Sequence, residues 1–209
     1  MFRTVITLIF SIRFAVFLSA VSTSDSTHSM HSPLHPSPRI EQTRASCTNA
    51  LRNPSFETNH LLPWTNYASG SWAFRTITYS SSAYTGTHFF HAFSNSTYTS
   101  TTTLAQSNVR IPPGTKIDCS ARIWAAGITG ANRSASFEVF IDGTSCGSTT
   151  LSGGQGEARW MKVGRQVQLS ADMREHMLVV VAVVSAGGDM GPGIGIGVDG
   201  VWAGPVAGC

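Results

Sequence analysis

Charge is scarce in this chain. Only 12% of its 209 residues are Asp, Glu, Lys or Arg, and the formal balance is +3. Arg3 and Arg13 lie in the first thirteen positions and every acidic residue lies at Asp25 or beyond, so without those two arginines twelve basic residues face eleven acidic ones. Nucleic acid is excluded as a partner, because a polyphosphate is held by a clustered basic face. Long apolar runs are equally rare past the N-terminus: Met177–Val184 (MLVVVAVV) has eight residues and is β-branched, which suits a buried strand and falls far short of a membrane span. The four cysteines include no C-x-x-C pair, which excludes the usual zinc and redox spacings. There is no G-x-S-x-G, and the glycine run at 191–197 (GPGIGIG) lacks the helix and the serine or lysine of a phosphate loop. What is abundant is apolar residues (42%), serine and threonine, a composition that folds and that suits a β-rich secreted protein.

The ends of the chain predict its organisation. Residues 5–20 (VITLIFSIRFAVFLSA) follow Arg3 and end in small residues, so 1–22 is read as a signal peptide cut after Ala20 or Ser22. Arg13 splits the run, and a signal anchor would need about 20 uninterrupted apolar residues. The expected location is therefore secreted, extracellular or bound to a cell wall, with no membrane association after cleavage. Residues 23–46, rich in Ser, Pro and His, are read as a disordered linker or propeptide. His28, His31 and His35 in it have the spacing of a Cu or Zn tract, but no cysteine or carboxylate accompanies them, which favours a polar tail.

The remainder, 47–209, is expected to form one domain. Its four cysteines allow three connectivities; the pairings predicted are Cys47–Cys209, bracketing the domain, and Cys119–Cys146, brought near register if their stretch folds as one antiparallel hairpin. Asn95-Ser-Thr and Asn132-Arg-Ser are usable glycosylation sequons in predicted loops. Period-two alternation marks strands at Ser71–Thr78, Thr87–Phe93, Thr101–Ile111, Lys116–Ala125, Ser134–Asp142, Trp160–Leu169, Met177–Val184 and Ile194–Trp202, with a turn at Asp142-Gly143 and one helical turn near Asp172–His176. About nine strands without intervening helices predict an all-β fold, an antiparallel β-sandwich.

Seven segments, in order, resemble a known family. Asn53-Pro-Ser-Phe56-Glu57 with Leu62-Pro63-Trp64, then Gly86-Thr-His88-Phe-Phe90, then Gln106…Ile111-Pro-Pro-Gly114-Thr115…Ile123-Trp124-Ala125, then Phe137…Asp142-Gly143, Trp160 and Val198-Asp199-Gly200-Val201 resemble carbohydrate-binding modules of the CenC type (families 4 and 9), most closely those of small secreted fungal proteins. The resemblance spans nearly all of 47–209 and implies a galactose-binding-like jelly roll that binds glycan. It implies that Trp64, Phe90, Trp124 and Trp160 are buried between the sheets. It also implies a structural calcium held by Glu57 and Asp199, hard oxygen donors of the kind calcium takes, although Gly200 stands where the family has a second aspartate.

Sugar binding needs exposed aromatic faces beside hydrogen-bonding groups. Trp72, Phe74, Tyr79, Tyr84, Tyr98 and Gln106 are the candidates, with Trp202 beside them; Trp72 and Phe74 share a strand face that serves either as platform or as core. No catalytic residue is assigned. Glu138, Asp142, Glu157, Asp172 and Glu175 are scattered and form no glycosidase pair, and His88 and His91 lie on opposite faces of one strand. The function expected is therefore a monomeric, non-catalytic binder of neutral polysaccharide. The alternative is a secreted structural or effector-like wall protein that keeps the fold without sugar affinity; a small glycoside hydrolase ranks below both.

Overall fold

The computed structural model describes residues 48–153, 159–188 and 191–205. The expected signal peptide and linker with its histidines, Glu157 and the expected Cys47–Cys209 pairing lie outside the described residues. Ten strands and no helix are found among those described: β1 (Thr65–Ser69), β2 (Phe74–Tyr79), β3 (His88–Ser94), β4 (Ser100–Arg110), β5 (Lys116–Ala126), β6 (Ser134–Ile141), β7 (Thr144–Ser152), β8 (Met161–Gln168), β9 (Glu175–Ser185) and β10 (Ile194–Pro205). They form two five-stranded sheets, ordered β1-β4-β9-β6-β7 and β2-β3-β10-β5-β8, and every pairing is antiparallel.

Alternation places the core. Ile117, Cys119, Ala121, Ile123 and Ala125 of β5 turn inward with Ile194, Ile196 and Val198 of β10, and meet Ala135, Phe137, Val139 and Ile141 of β6 and Leu178, Val180, Ala182 and Val184 of β9. Before β1, Phe56 packs on Trp64 and Phe90 with ring centroids 5.8 and 6.3 Å apart, and the Trp64 indole donates to the Asn53 carbonyl at 3.0 Å. Burying rings of this size is strongly stabilising.

Ten strands agree with the expected count of about nine; β1 and β7 carry too few large apolar residues to stand out in sequence. Two local expectations are corrected. The helical turn near Asp172–His176 is absent: β9 begins at Glu175, and His176 is buried there with its Nδ1 2.6 Å from Asp142 Oδ2. Cys119 and Cys146 are bonded, with Cα atoms 5.7 Å apart, but not within one hairpin. β5 and β6 belong to different sheets, so the bridge ties β5 of one sheet to β7 of the other. A glycine makes room for it: a Cβ on Gly164 in β8 would overlap the Cys119 carbonyl, and β8 there approaches β7 at Gly147. The Asp142-Gly143 turn forms as expected, both residues at positive φ (49° and 78°), joining β6 to β7.

Candidate functional site

The outer face of the β2-β3-β10-β5-β8 sheet gathers aromatic side chains, with Phe74 exposed, His91, Phe93, Trp124 and Trp160 half-buried and Phe89 buried. On β3, Phe89, His91 and Phe93 point outward; register sets Thr78, Thr76 and Phe74 of β2 opposite them. On β5 the outward residues are Arg122, Trp124 and Ala126, and Trp160 immediately precedes Met161, the partner of Ile123. Between β3 and β5 runs β10, whose outward positions here are Gly195 and Gly197. With no side chains on that face of the strand, the Trp124 indole lies down across it; a Cβ on Gly197 would overlap the indole, and one on Gly195 would touch both Trp124 and His91. The glycine run that binds no phosphate thus makes the floor of an aromatic trough.

The rings meet as a corner. Trp160 stands at 90° to Trp124 with centroids 6.2 Å apart, and at 87° to Phe89 at 5.5 Å. His91 lies 5.6 Å from Trp124 and 4.9 Å from Phe74, which stacks on Phe93 at 5.8 Å. Ser80, Ser82, Phe89, Trp124, Ala126 and Trp160 line a cavity of about 270 Å³. Burial pushes the His91 imidazole down from its ordinary pKa, so it stands in the trough as a neutral ring. A larger recess of about 550 Å³ between Arg110, Ile111, Pro112, Pro113, Arg174 and Glu175 offers no aromatic face.

The segment 80–87 between β2 and β3 folds over one end of this face. The Trp160 indole donates to the Ser82 carbonyl at 2.7 Å, Tyr84 packs edge-on to Trp160 at 6.4 Å, and the Arg122 guanidinium sits 4.4 Å from the Tyr84 ring centre. Two carboxylates hold the segment down. Asp199 Oδ2 accepts the Thr85 N–H at 2.9 Å and its Oδ1 accepts that of Gly200 at 2.6 Å, while Glu57 Oε1 accepts the N–H groups of Thr87 (3.0 Å) and His88 (2.8 Å). Burial pushes Asp199 up to about 6, and the nearby Glu57 charge adds to that rise despite the N–H groups it accepts. Burial also raises Glu57, but the backbone N–H groups of His88 and Thr87 outweigh it and hold that carboxyl below its ordinary value.

The predicted residues divide sharply. Tyr84 is in the corner, and Phe74 flanks the trough at its open end. Trp72 precedes β2 and is half-buried against the core, its indole donating to the carbonyls of Ser69 and Thr101 at 3.1 Å each, so it shares no strand face with Phe74. Gln106 is not available as a ligand: it is buried, with its amide spent on the N–H (2.8 Å) and carbonyl (2.9 Å) of Arg52. Tyr79 packs on His88 at the β2 edge, and Tyr98, 80% exposed, lies in the β3–β4 loop at the opposite end from segment 80–87. Asn95 and Asn132 are both exposed, at the ends of the β3–β4 and β5–β6 connections. Trp202 projects beside Gly204 on β10, beyond the bulge between Asp199 and Trp202.

Two of the four aromatics expected between the sheets are not there. Trp64 and Phe90 are in the core, but Trp124 and Trp160 face outward and form the corner itself. Phe89, His91, Trp124 and Trp160 are the residues sequence reasoning missed, although a signal existed. Glycines at 195 and 197, two apart in a strand, strip one face of side chains, and Phe89, His91 and Phe93 on a neighbouring strand share a face by the same period.

No protein-family model and no curated protein matches this sequence. Solved structures do. TmCBM61 in complex with β-1,4-galactotriose superposes with a TM-score of 0.50 and 15% identity, over 75% of this chain and 97% of that one. The enzymatically active domain of tailspike protein 4 from bacteriophage CBA120 gives 0.50 and 13%, over 75% and 21%. The CBM22-1 xylan-binding domain of Paenibacillus barcinonensis Xyn10C gives 0.48 and 15%, over 79% and 99%. At these identities the likeness is one of fold: the chain is an antiparallel β-sandwich of the jelly-roll kind that carbohydrate-binding modules use.

Proposed function

We propose that this chain is a secreted carbohydrate-binding protein that holds a neutral polysaccharide on the outer face of the β2-β3-β10-β5-β8 sheet, without catalysis of its own. The observation that carries the reading is the corner of Trp124, Trp160 and Phe89 over a floor of glycine. The apolar C–H face of a pyranose stacks on an indole, and the hydroxyls of Ser80, Ser82, Thr76 and Thr78 and the neutral His91 ring stand within the same face to bond its equatorial hydroxyls. The fold likeness to TmCBM61, solved with β-1,4-galactotriose, supports the same class of ligand. In this reading Tyr84 and Phe74 are ligand-binding aromatics that flank the trough.

A calcium ion at Glu57 and Asp199 belongs to this proposal. Both carboxylates converge on one segment, and a buried carboxyl raised beside a second negative group is the arrangement that a divalent cation relieves. The ion would supply only structural charge compensation, holding segment 80–87 in place. The test of the main reading is a pull-down of the purified chain on insoluble β-1,4-galactan, xylan, β-1,3-glucan and chitin. Retention by at least one, lost in Trp124→Ala with the far-UV spectrum unchanged, supports it; retention by none sinks it.

A further inference from the structure

Ser80 and Ser82 line the cavity from segment 80–87, and the place of that segment is set at its far end. The segment is braced within itself. The Ser80 N–H donates to the Thr87 carbonyl at 2.8 Å, the Ala83 N–H to the Ser80 carbonyl at 3.2 Å and the Ser82 N–H to the Ser80 hydroxyl at 3.1 Å. A displacement at 85–87 therefore carries Ser82 with it. That end is where the two carboxylates grip: Asp199 takes the Thr85 N–H, and Glu57 takes those of Thr87 and His88. The approach is so close that a Cβ on Gly86 would overlap the Glu57 carboxyl. One face of β10 serves both purposes, because Gly195 and Gly197 make the floor and Asp199, two residues on, makes the grip.

The other end of the segment meets the corner. The Ser82 carbonyl accepts the Trp160 indole N–H at 2.7 Å, which is the one hydrogen bond of that ring among the described residues. Its other contacts are ring against ring, with Tyr84, Phe89 and Trp124. Ring contacts are satisfied by more than one arrangement, stacked or edge-on, whereas a hydrogen bond weakens steeply off line, so Ser82 decides the angle at which Trp160 stands. The geometry points to Asp199 and Glu57 as positioning residues of the glycan site. They touch no ligand; they fix segment 80–87, and the segment fixes the Trp160 ring against Trp124. This inference rests on the carbohydrate reading above and adds to it the residues that hold its binding surface in shape.

The experiment is a double-mutant cycle on the full chain, with EDTA in every arm so that the variants differ in hydrogen bonds and not in bound cation. The probes are β-1,4-galactan, xylan, β-1,3-glucan and chitin, and affinity is read from depletion isotherms on whichever is retained. Asp199→Ala is expected to weaken affinity about fivefold to tenfold in the parent and less than about twofold in Trp160→Phe, which keeps a ring but has no N–H for Ser82. Near-UV circular dichroism gives a reading that needs no glycan. Asp199→Ala is expected to change the tryptophan bands of the parent and to leave those of Trp160→Phe as they were. Glu57→Ala, at the more exposed grip, is expected to act in the same way to a lesser degree, and carries the test if Asp199→Ala does not fold. Equal weakening with and without the Trp160 indole, or tryptophan bands unmoved in the parent, overturns the positioning role while leaving carbohydrate binding intact. Retention by none of the probes overturns the carbohydrate reading, and this one with it.

Discussion

The indole of Trp124 occupies the space that a side chain at Gly197 would fill. The two residues are cross-strand partners on β5 and β10, so the orientation of the platform is dictated by a neighbour that has no side chain. In Gly197→Val the indole must leave the sheet. Glycan retention is expected to fall at least tenfold, equivalent to about 1.4 kcal/mol of binding free energy. The near-UV circular dichroism of the tryptophans is expected to change while the far-UV spectrum stays. Unaltered retention would show that Trp124 is not the stacking surface.

Core and site tryptophans are expected to separate in a pair of alanine variants. Trp64 is buried against Phe56 and bonds Asn53, so Trp64→Ala is expected to cost about 3–5 kcal/mol in denaturant unfolding. Trp124→Ala, on the outer face, is expected to cost much less stability and to abolish retention. Equal losses of stability would mean that Trp124 is a core residue after all.

The disulfide between Cys119 and Cys146 closes 27 residues of sequence separation and joins the two sheets. Chain-entropy arithmetic assigns such a loop about 3–4 kcal/mol. Cys119→Ala with Cys146→Ala is expected to lower stability by that order, read by urea denaturation of the double variant. A change below about 1 kcal/mol would mean that packing of the two sheets makes the crosslink redundant.

Asp199 carries a pH signature. Its carboxyl is raised from 3.8 to about 6 in the folded chain, so between those values the native state keeps a proton that the unfolded state has released. Stability therefore falls as pH rises from about 4 to 6 and then levels off. Glu57, lowered below its ordinary 4.5, acts oppositely and withdraws stability as pH falls from about 4.5 toward its lowered value. In EDTA, Asp199→Asn is expected to remove the decline between pH 4 and 6 in a series of thermal melts. Calcium is expected to raise the melting temperature of the unmodified chain at pH 7 more than at pH 4. A variant with the same pH slope as the parent would show that another group titrates there.

Gln106 separates a structural amide from a ligand-binding one. Its side chain satisfies both the N–H and the carbonyl of Arg52, and Gln106→Ala leaves the two unpaired. A loss of about 1–3 kcal/mol is expected with glycan retention unchanged. Loss of retention with stability intact would return Gln106 to the site.

Alternation along each strand was enough to read the fold class, since Phe137, Val139 and Ile141, or Ile117, Cys119 and Ile123, declare a buried face wherever the strand ends up. The strands it missed, β1 (TNYAS) and β7 (TSCGSTTLS), are mostly Thr, Ser, Asn and Gly with too few large apolar residues to form a period. The pairing of Cys119 with Cys146 was also anticipated, but through a hairpin that does not exist. Sequence separation is silent on whether β5 and β6 share a sheet.

For the site the division is sharper. The scarcity of charge and the hydroxyl-rich strands argued in the sequence against nucleic acid and for an uncharged polymer as the expected partner. Which tryptophans meet solvent was decided by tertiary structure alone. A large apolar ring at one position of a strand has the same local signature inside or outside. Its place depends on parity against the sheet and on the neighbour in register, here a glycine on β10 and a segment held down by Asp199 from elsewhere in the chain. These are contacts between residues distant in sequence, and only the folded sandwich brings them together.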